Sequence, residues 1–199
     1  MESAATISEL TGLSSFTVTG WVNNRVADAG AGGNRIVSWI NNGGEGVDIV
    51  YEEDGSLQVG INQWPDRGGV TSSSGMIPTD ASAPASNWTF FALSYDGANV
   101  SFYFGDNATA ASLDKTVSYG RGDVGSSIGS LAIGHFNSQS SRTSRTNRMF
   151  RGLIDQVNIF DSELTLTEIQ SAQNIGTVVP PTQYTLSAVA SGNGSVSGA

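Results

Sequence analysis

Short runs in which apolar residues alternate with polar ones recur along this chain, separated by clusters of Gly, Asn, Ser and Asp. That period of two predicts strands joined by tight turns. In FTVTGWV, 16–22, Phe16, Val18 and Gly20 alternate with Thr17, Thr19 and Trp21. After a Gly-rich loop at 28–34, IVSWI predicts a short strand, NNGGEG a turn, and VDIVYEE a second strand. Asp54-Gly55 then joins it to SLQVGINQW, and Asp-Gly between two alternating runs is a strong hairpin signal. The stretch 65–87 is polar and carries Pro65, Pro78 and Pro84, which predicts a long loop with one short edge segment near Met76 and Ile77. NWTFFALSYDG, VSFYFG and SLAIGHF are further strand candidates, while upstream only 5–13 remains to supply a first strand.

The run RMFRGLIDQVNIFDSELTLTEI, 148–169, changes period halfway. Its first half reads as a buried strand, with Phe150, Leu153, Asp155, Val157 and Ile159 alternating with their neighbours. Thr165 and Glu168 then stand in the Thr-x-x-Glu relation of a capping box, which predicts a short helix of about two turns. With 199 residues, 25 of them Gly, the chain suits one all-β domain with a remainder. From Gly176 the texture changes: TVVPPTQ, 177–183, reads as a linker, and 184–199 as the truncated start of a following β module. The main domain is therefore expected at 1–176, as one piece of a larger multidomain protein.

These motifs resemble the laminin G-like, concanavalin A-like jelly-roll family. The resemblance rests on S-F-T-V-x-x-W-V at 15–22, on W-x-x-x-A-x-x-Y-D-G at 88–97, on the strand ending in Ile133-Gly134, and on F-x-G-x-I-D-x-V at 150–157 followed by a short helix. Together they span about 5–174. The resemblance implies an all-β, concanavalin A-like jelly-roll β-sandwich of two antiparallel sheets with one short C-terminal helix. It also implies a structural Ca²⁺ held by Asp155, with Glu9 and Asn34 as the nearest equivalents of the family's other ligands. Asp155 stands among apolar neighbours, where an unpaired carboxylate would be costly, so it needs a partner of this kind, a capped backbone turn, or Arg151.

Charge narrows the function. The formal net charge is −9, which disfavours nucleic acid because phosphate neutralisation needs a basic footprint. No run of 18 apolar residues exists, so no membrane helix is expected; a secreted, monomeric domain whose targeting segment has been removed is expected instead. The absence of cysteine removes disulfides and thiolate chemistry together. An enzyme is not expected: of Glu45, Asp48, Glu52 and Glu53 only Asp48 and Glu52 share a strand face, and His135 is the only histidine, with no lyase-like Arg, Gln or Asn pattern around it.

Binding is the better reading. Eight of the nine basic residues are Arg, and Arg142, Arg145, Arg148 and Arg151 recur every third residue on an acidic chain. A guanidinium fork suits carboxylate or sulfate, and this spacing in an extended loop would span about 10 Å. In SLQVGINQW the alternation places Trp64 at the end of a polar stripe with Gln58 and Asn62, as an exposed indole for stacking on a sugar ring. Trp21 and Trp88 are expected in the core. The expected function is a non-catalytic carbohydrate-binding module attached to a catalytic domain of a polysaccharide-degrading enzyme. Its ligand would be an acidic or sulfated polysaccharide contacted by Arg142, Arg145, Arg148, Trp64, His135 and Asn137. An adhesion or protein-interaction module is the second class, and a lyase or hydrolase the third.

Overall fold

The computed structural model describes residues 1–25, 33–78, 88–140, 142 and 144–173; the expected linker and following module lie outside the described residues. Two antiparallel sheets of five strands face one another. The first runs in the order β10 (Gly152–Phe160), β1 (Phe16–Asn24), β6 (Thr89–Tyr95), β7 (Asn99–Asp106), β8 (Ser112–Ser118). The second runs β5 (Val70–Thr71), β4 (Leu57–Ile61), β3 (Val47–Tyr51), β2 (Asn34–Ser38), β9 (Ala132–Ile133). This is the jelly-roll sandwich that the alternation and the resemblance predict.

Period two divides each strand between an inner and an outer face. Phe16, Val18 and Val22 of β1 meet Ile49, Tyr51, Val59 and Ile61 of the second sheet in one shared core. The outer face of the first sheet is covered at Phe90, Ala92 and Phe160 by α1 (Leu166–Gln173) through Ile169 and Ala172. The capping box forms as read: Thr165 donates from N–H and Oγ1 to the Glu168 carboxylate at 2.8 and 2.7 Å. Those bonds hold the Glu168 carboxyl below its ordinary pKa. No helix among the described residues is long and apolar enough to cross a membrane.

Three local expectations change, and one strand is added that the sequence reading did not assign. The stretch 5–13 holds a 3₁₀ turn at Ser8–Leu10 instead of a strand, and residues 1–3 bond the 131–133 segment, with Ser3 N–H to Leu131 O at 2.8 Å. The edge segment after Pro65 is Val70–Thr71; at Ile77 the chain instead bonds Gly55 O and tucks a buried side chain into the core. SLDKTVS, which lacks an apolar alternation, is the edge strand β8: it pairs with β7 through its backbone while leaving most side chains in water. Finally, β10 is an edge strand and exposed at Leu153, Asp155 and Gln156. A bulge between its pairings with Thr19 and Trp21 breaks the simple alternation, so Val157 packs into the core while Asp155 faces out.

Candidate functional site

The outer face of the second sheet is built from the residues that alternate away from the core. On β2 and β3 these are Arg35 and Asp48, both completely buried, with Arg35 Nη2 donating to Asp48 Oδ2 at 2.9 Å and Nε donating to the same oxygen at 3.2 Å. Burial pushes the Asp48 carboxyl up in pKa, and Arg35 opposes that shift. The sheet face is closed by residues 134–140, 142 and 144–150, which fold across it. Phe136 packs with Ile40 and Trp64, and the Arg35 guanidinium carbon stands 4.0 Å from the Phe136 ring centroid.

Trp64 is the clearest correction. The residue is 4% exposed, because Ile40 and Phe136 pack on its indole and the Arg142 guanidinium lies over it, while Gly60 on β4 leaves room for the Pro65–Arg67 turn that follows. The stripe therefore ends under these covering residues instead of in water. Phe136 meets the indole edge-on at 5.9 Å, and the Arg142 guanidinium carbon lies 4.1 Å above it.

The arginine run is likewise folded rather than extended. Arg142 is buried and donates through Nη1 to both Asp66 oxygens, at 3.1 and 2.9 Å. A 3₁₀ turn at Thr146–Arg148 brings Arg148 back to the same carboxylate, with Nη1 at 3.7 Å from Oδ2 and no hydrogen bond at that nitrogen. Burial, and then Arg35, Arg145 and Arg142, lower the pKa of Arg148, with Asp66 opposing. Arg145 is exposed. Glu52, half-buried, completes the group; burial raises its pKa, while Arg35 and Arg148 pull it down. Arg142 thus anchors the loop, Arg145 faces solvent, and Arg148 is a buried cation beside an Asp66 carboxylate that Arg142 already holds.

His135 and Asn137 lie on the covering segment. His135 is half-buried with its ring 5.9 Å from that of Phe136, and Asn137 is fully buried, its Nδ2 donating to Ile40 O at 2.8 Å. Asn137 fastens the segment to the sheet. Sequence reasoning missed Arg35 and Phe136 as partners. A single arginine inside the apolar strand NRIVS, a class of side chain almost never fully buried unless paired, is the signal that could have found the pair with Asp48.

The three residues considered for Ca²⁺ are not brought together. Asp155 is exposed, and its Oδ1 accepts the Gln156 N–H at 2.8 Å, so the expected buried and needy carboxylate is absent. Glu9 lines a hollow with Leu10, Ile159 and Asp161, about 13 Å along β10 from Asp155 at the usual rise per residue. Asn34 opens β2 in the other sheet. No group of three His, Asp or Glu side chains among the described residues is placed to hold a metal ion. The residues named do not fit a calcium site.

Two faces of a jelly-roll sandwich, one crossed by a charged loop and the other by a helix, define a lectin-like β domain. Residues 2–170 match the model of the concanavalin A-like lectin/glucanases superfamily, and the chain belongs to it. No curated protein sequence matches the chain. Among solved structures, a candidate carbohydrate-binding protein of Bacteroides ovatus is 19% identical with a TM-score of 0.59, covering 92% of this chain and 49% of its own. This chain therefore spans about half the length of that protein. Domain 4 of an extracellular arabinanase of Geobacillus stearothermophilus, in complex with arabinotriose, has 17% identity and a TM-score of 0.55, covering 84% of this chain and 70% of its own. A sialidase carbohydrate-binding module of Ruminococcus gnavus, bound to α2,3-sialyllactose, has 12% identity and a TM-score of 0.56, covering 85% and 92%. At these identities the likeness establishes the fold.

Proposed function

We propose that this chain is a non-catalytic carbohydrate-binding module of a secreted polysaccharide-degrading protein, and that its ligand is an acidic or sulfated glycan held at the arginine face. Membership in a lectin and glucanase superfamily, together with structural neighbours in complex with arabinotriose and sialyllactose, supports the sugar. The observation that carries the charge preference is Arg148: a buried guanidinium 3.7 Å from a carboxylate that Arg142 already occupies, beside the exposed Arg145. An incoming carboxylate or sulfate would supply the acceptor that Asp66 provides only in part. Arg145 and Arg148 are the contact residues in this reading, while Arg142 and Trp64 keep the loop in place. Linked to a catalytic domain, such a module raises the effective concentration of enzyme at an insoluble substrate.

Affinity electrophoresis against polygalacturonate, alginate and carrageenan, with arabinan and cellulose as neutral controls, tests the reading. Retardation by at least one anionic polymer is expected, weakened roughly tenfold by Arg145→Ala and weakened again by added salt. Retardation by neutral polymers alone, indifferent to salt and to Arg145→Ala, would overturn the anionic ligand. Release of reducing sugar from any of these polymers by the isolated chain would overturn the non-catalytic assignment.

A further inference from the structure

The outer face of the first sheet is only partly covered. α1 packs on Phe90, Ala92 and Phe160 and against β1, where Thr17 and Thr19 are fully buried, and further along, the margin formed by the β1–β10 pair is exposed at Leu153 and Asp155. Trp21 stands on that margin, half-buried, its indole held edge-on against Phe90 at 5.4 Å. Directly across the strand pair is Asp155, and two steps along lies the Thr19 and Asn158 pair. Sequence reasoning put Trp21 in the core; the structure leaves it half-buried on the outer cluster of Phe90 and Phe160, with a carboxylate across the strand pair.

Two further observations single this margin out. Gln156 adopts a left-handed backbone, φ 48°, which a side chain other than Gly, Asn or Asp rarely takes. The only other such residue among those described, Asn62, is explained by its own bonds to Arg121 O and Asp123 O, whereas Gln156 is exposed and serves the bulge. That bulge turns Asp155 outward next to Trp21 and fixes its carboxylate, since Oδ1 accepts the Gln156 N–H and Asn158 Nδ2 donates to Gln156 O at 3.0 Å. The second observation is Asn23, two residues beyond Trp21 on the same strand face. It is 1% exposed, and neither its Oδ1 nor its Nδ2 makes a hydrogen bond. A buried amide with both groups unsatisfied calls for a polar partner that the protein does not supply.

We infer that this margin is a second saccharide site, specific for a neutral glycan, with Trp21 as the stacking platform, Asp155 as the acceptor for a pair of sugar hydroxyls, and Asn23 as the amide completed at its inner end. An indole face suits the C–H groups of a sugar ring, and a pre-oriented carboxylate suits its hydroxyls while repelling an acidic sugar. The site rests on the carbohydrate-binding reading for its ligand class only, and shares no residue with the arginine face.

Titration of the full chain with neutral arabino-, xylo-, gluco-, galacto- and manno-oligosaccharides, followed by the indole and backbone N–H resonances in about 0.5 M NaCl, separates the two sites because salt at that level screens the exposed arginine. At least one sugar is expected to shift the Trp21 indole and the amides of 153–158 saturably. Trp21→Ala should weaken that sugar at least about tenfold. Asp155→Asn, which keeps an oxygen for the Gln156 N–H, should weaken it severalfold while the fold is retained. No saturable shift at these positions with any of the sugars, or shifts that persist unchanged in both variants, would overturn the site. Anionic glycan binding that survives such a failure would leave the arginine-face reading intact; loss of all glycan binding would overturn both.

Discussion

Glu52 shows how a single side chain reports on the arginine face. Its carboxyl is raised above its ordinary 4.5, first by burial, although Arg35 and Arg148 favour the charged form. The folded state therefore binds a proton more tightly than the unfolded chain does. Stability must fall as pH rises from the ordinary value through the folded one, because the buried carboxylate then ionises. Glu52→Gln removes that ionisation, so chemical denaturation between about pH 4.5 and 7 should show a flatter dependence in the variant than in the parent. A slope identical in both would mean that Glu52 is solvated like an ordinary surface acid. Arg148 is the reciprocal group: an added anionic ligand should neutralise part of the cluster and shift the same titration. The arginine spacing was legible in the sequence, but the division of labour within it was not. Nothing local distinguishes Arg142 from Arg145 until Asp66, 76 residues earlier, is brought under one and not the other.

At the level of elements, the sandwich was legible wherever period two was clean, as in β1, β3, β4, β6 and β7. It was obscured where an edge relaxed the pattern: β8 buries little, and β10 carries an extra residue at Gln156. Trp64 was misplaced for a related reason. Alternation assigned it to the outer face correctly, but outer face was equated with water, and a covering segment 70 residues later in the chain is invisible to a local pattern. Gly60 is the element-level device that lets the turn flanking Trp64 lie on β4. A Cβ there would collide with the Gln63 carbonyl and stand 2.7 Å from Pro65 N, so the turn can lie on β4 only over a glycine. Gly60→Ala should destabilise the domain by about 2 kcal/mol through overpacking. It should also raise the solvent exposure of Trp64, read as increased iodide quenching of tryptophan emission. Unchanged quenching with a full loss of stability would place the strain elsewhere in the hairpin.

For the molecule as a whole, the two proposed sites lie on opposite outer faces of one sandwich, with the shared core between them. The sheets of a sandwich pack about 10 Å apart, and each face adds a layer of side chains, so the sites are separated by more than a sugar residue can span. No described residue belongs to both. Energetic coupling between groups at this distance with no shared partner is small, a few tenths of a kcal/mol in typical cases. Saturating the Trp21 margin with a neutral oligosaccharide should then leave the dissociation constant for an anionic glycan unchanged within about twofold, measured by calorimetry at low salt. The salt response should differ as well. With a net charge of −9, the chain repels polyanions at long range, and only the local arginine field overcomes this, so anionic binding weakens as salt screens that short-range contact. The neutral site should stay constant across the same range. Mutual exclusion of the two ligands would show instead that a single face accepts both, and the assignment of one sheet to each would fall.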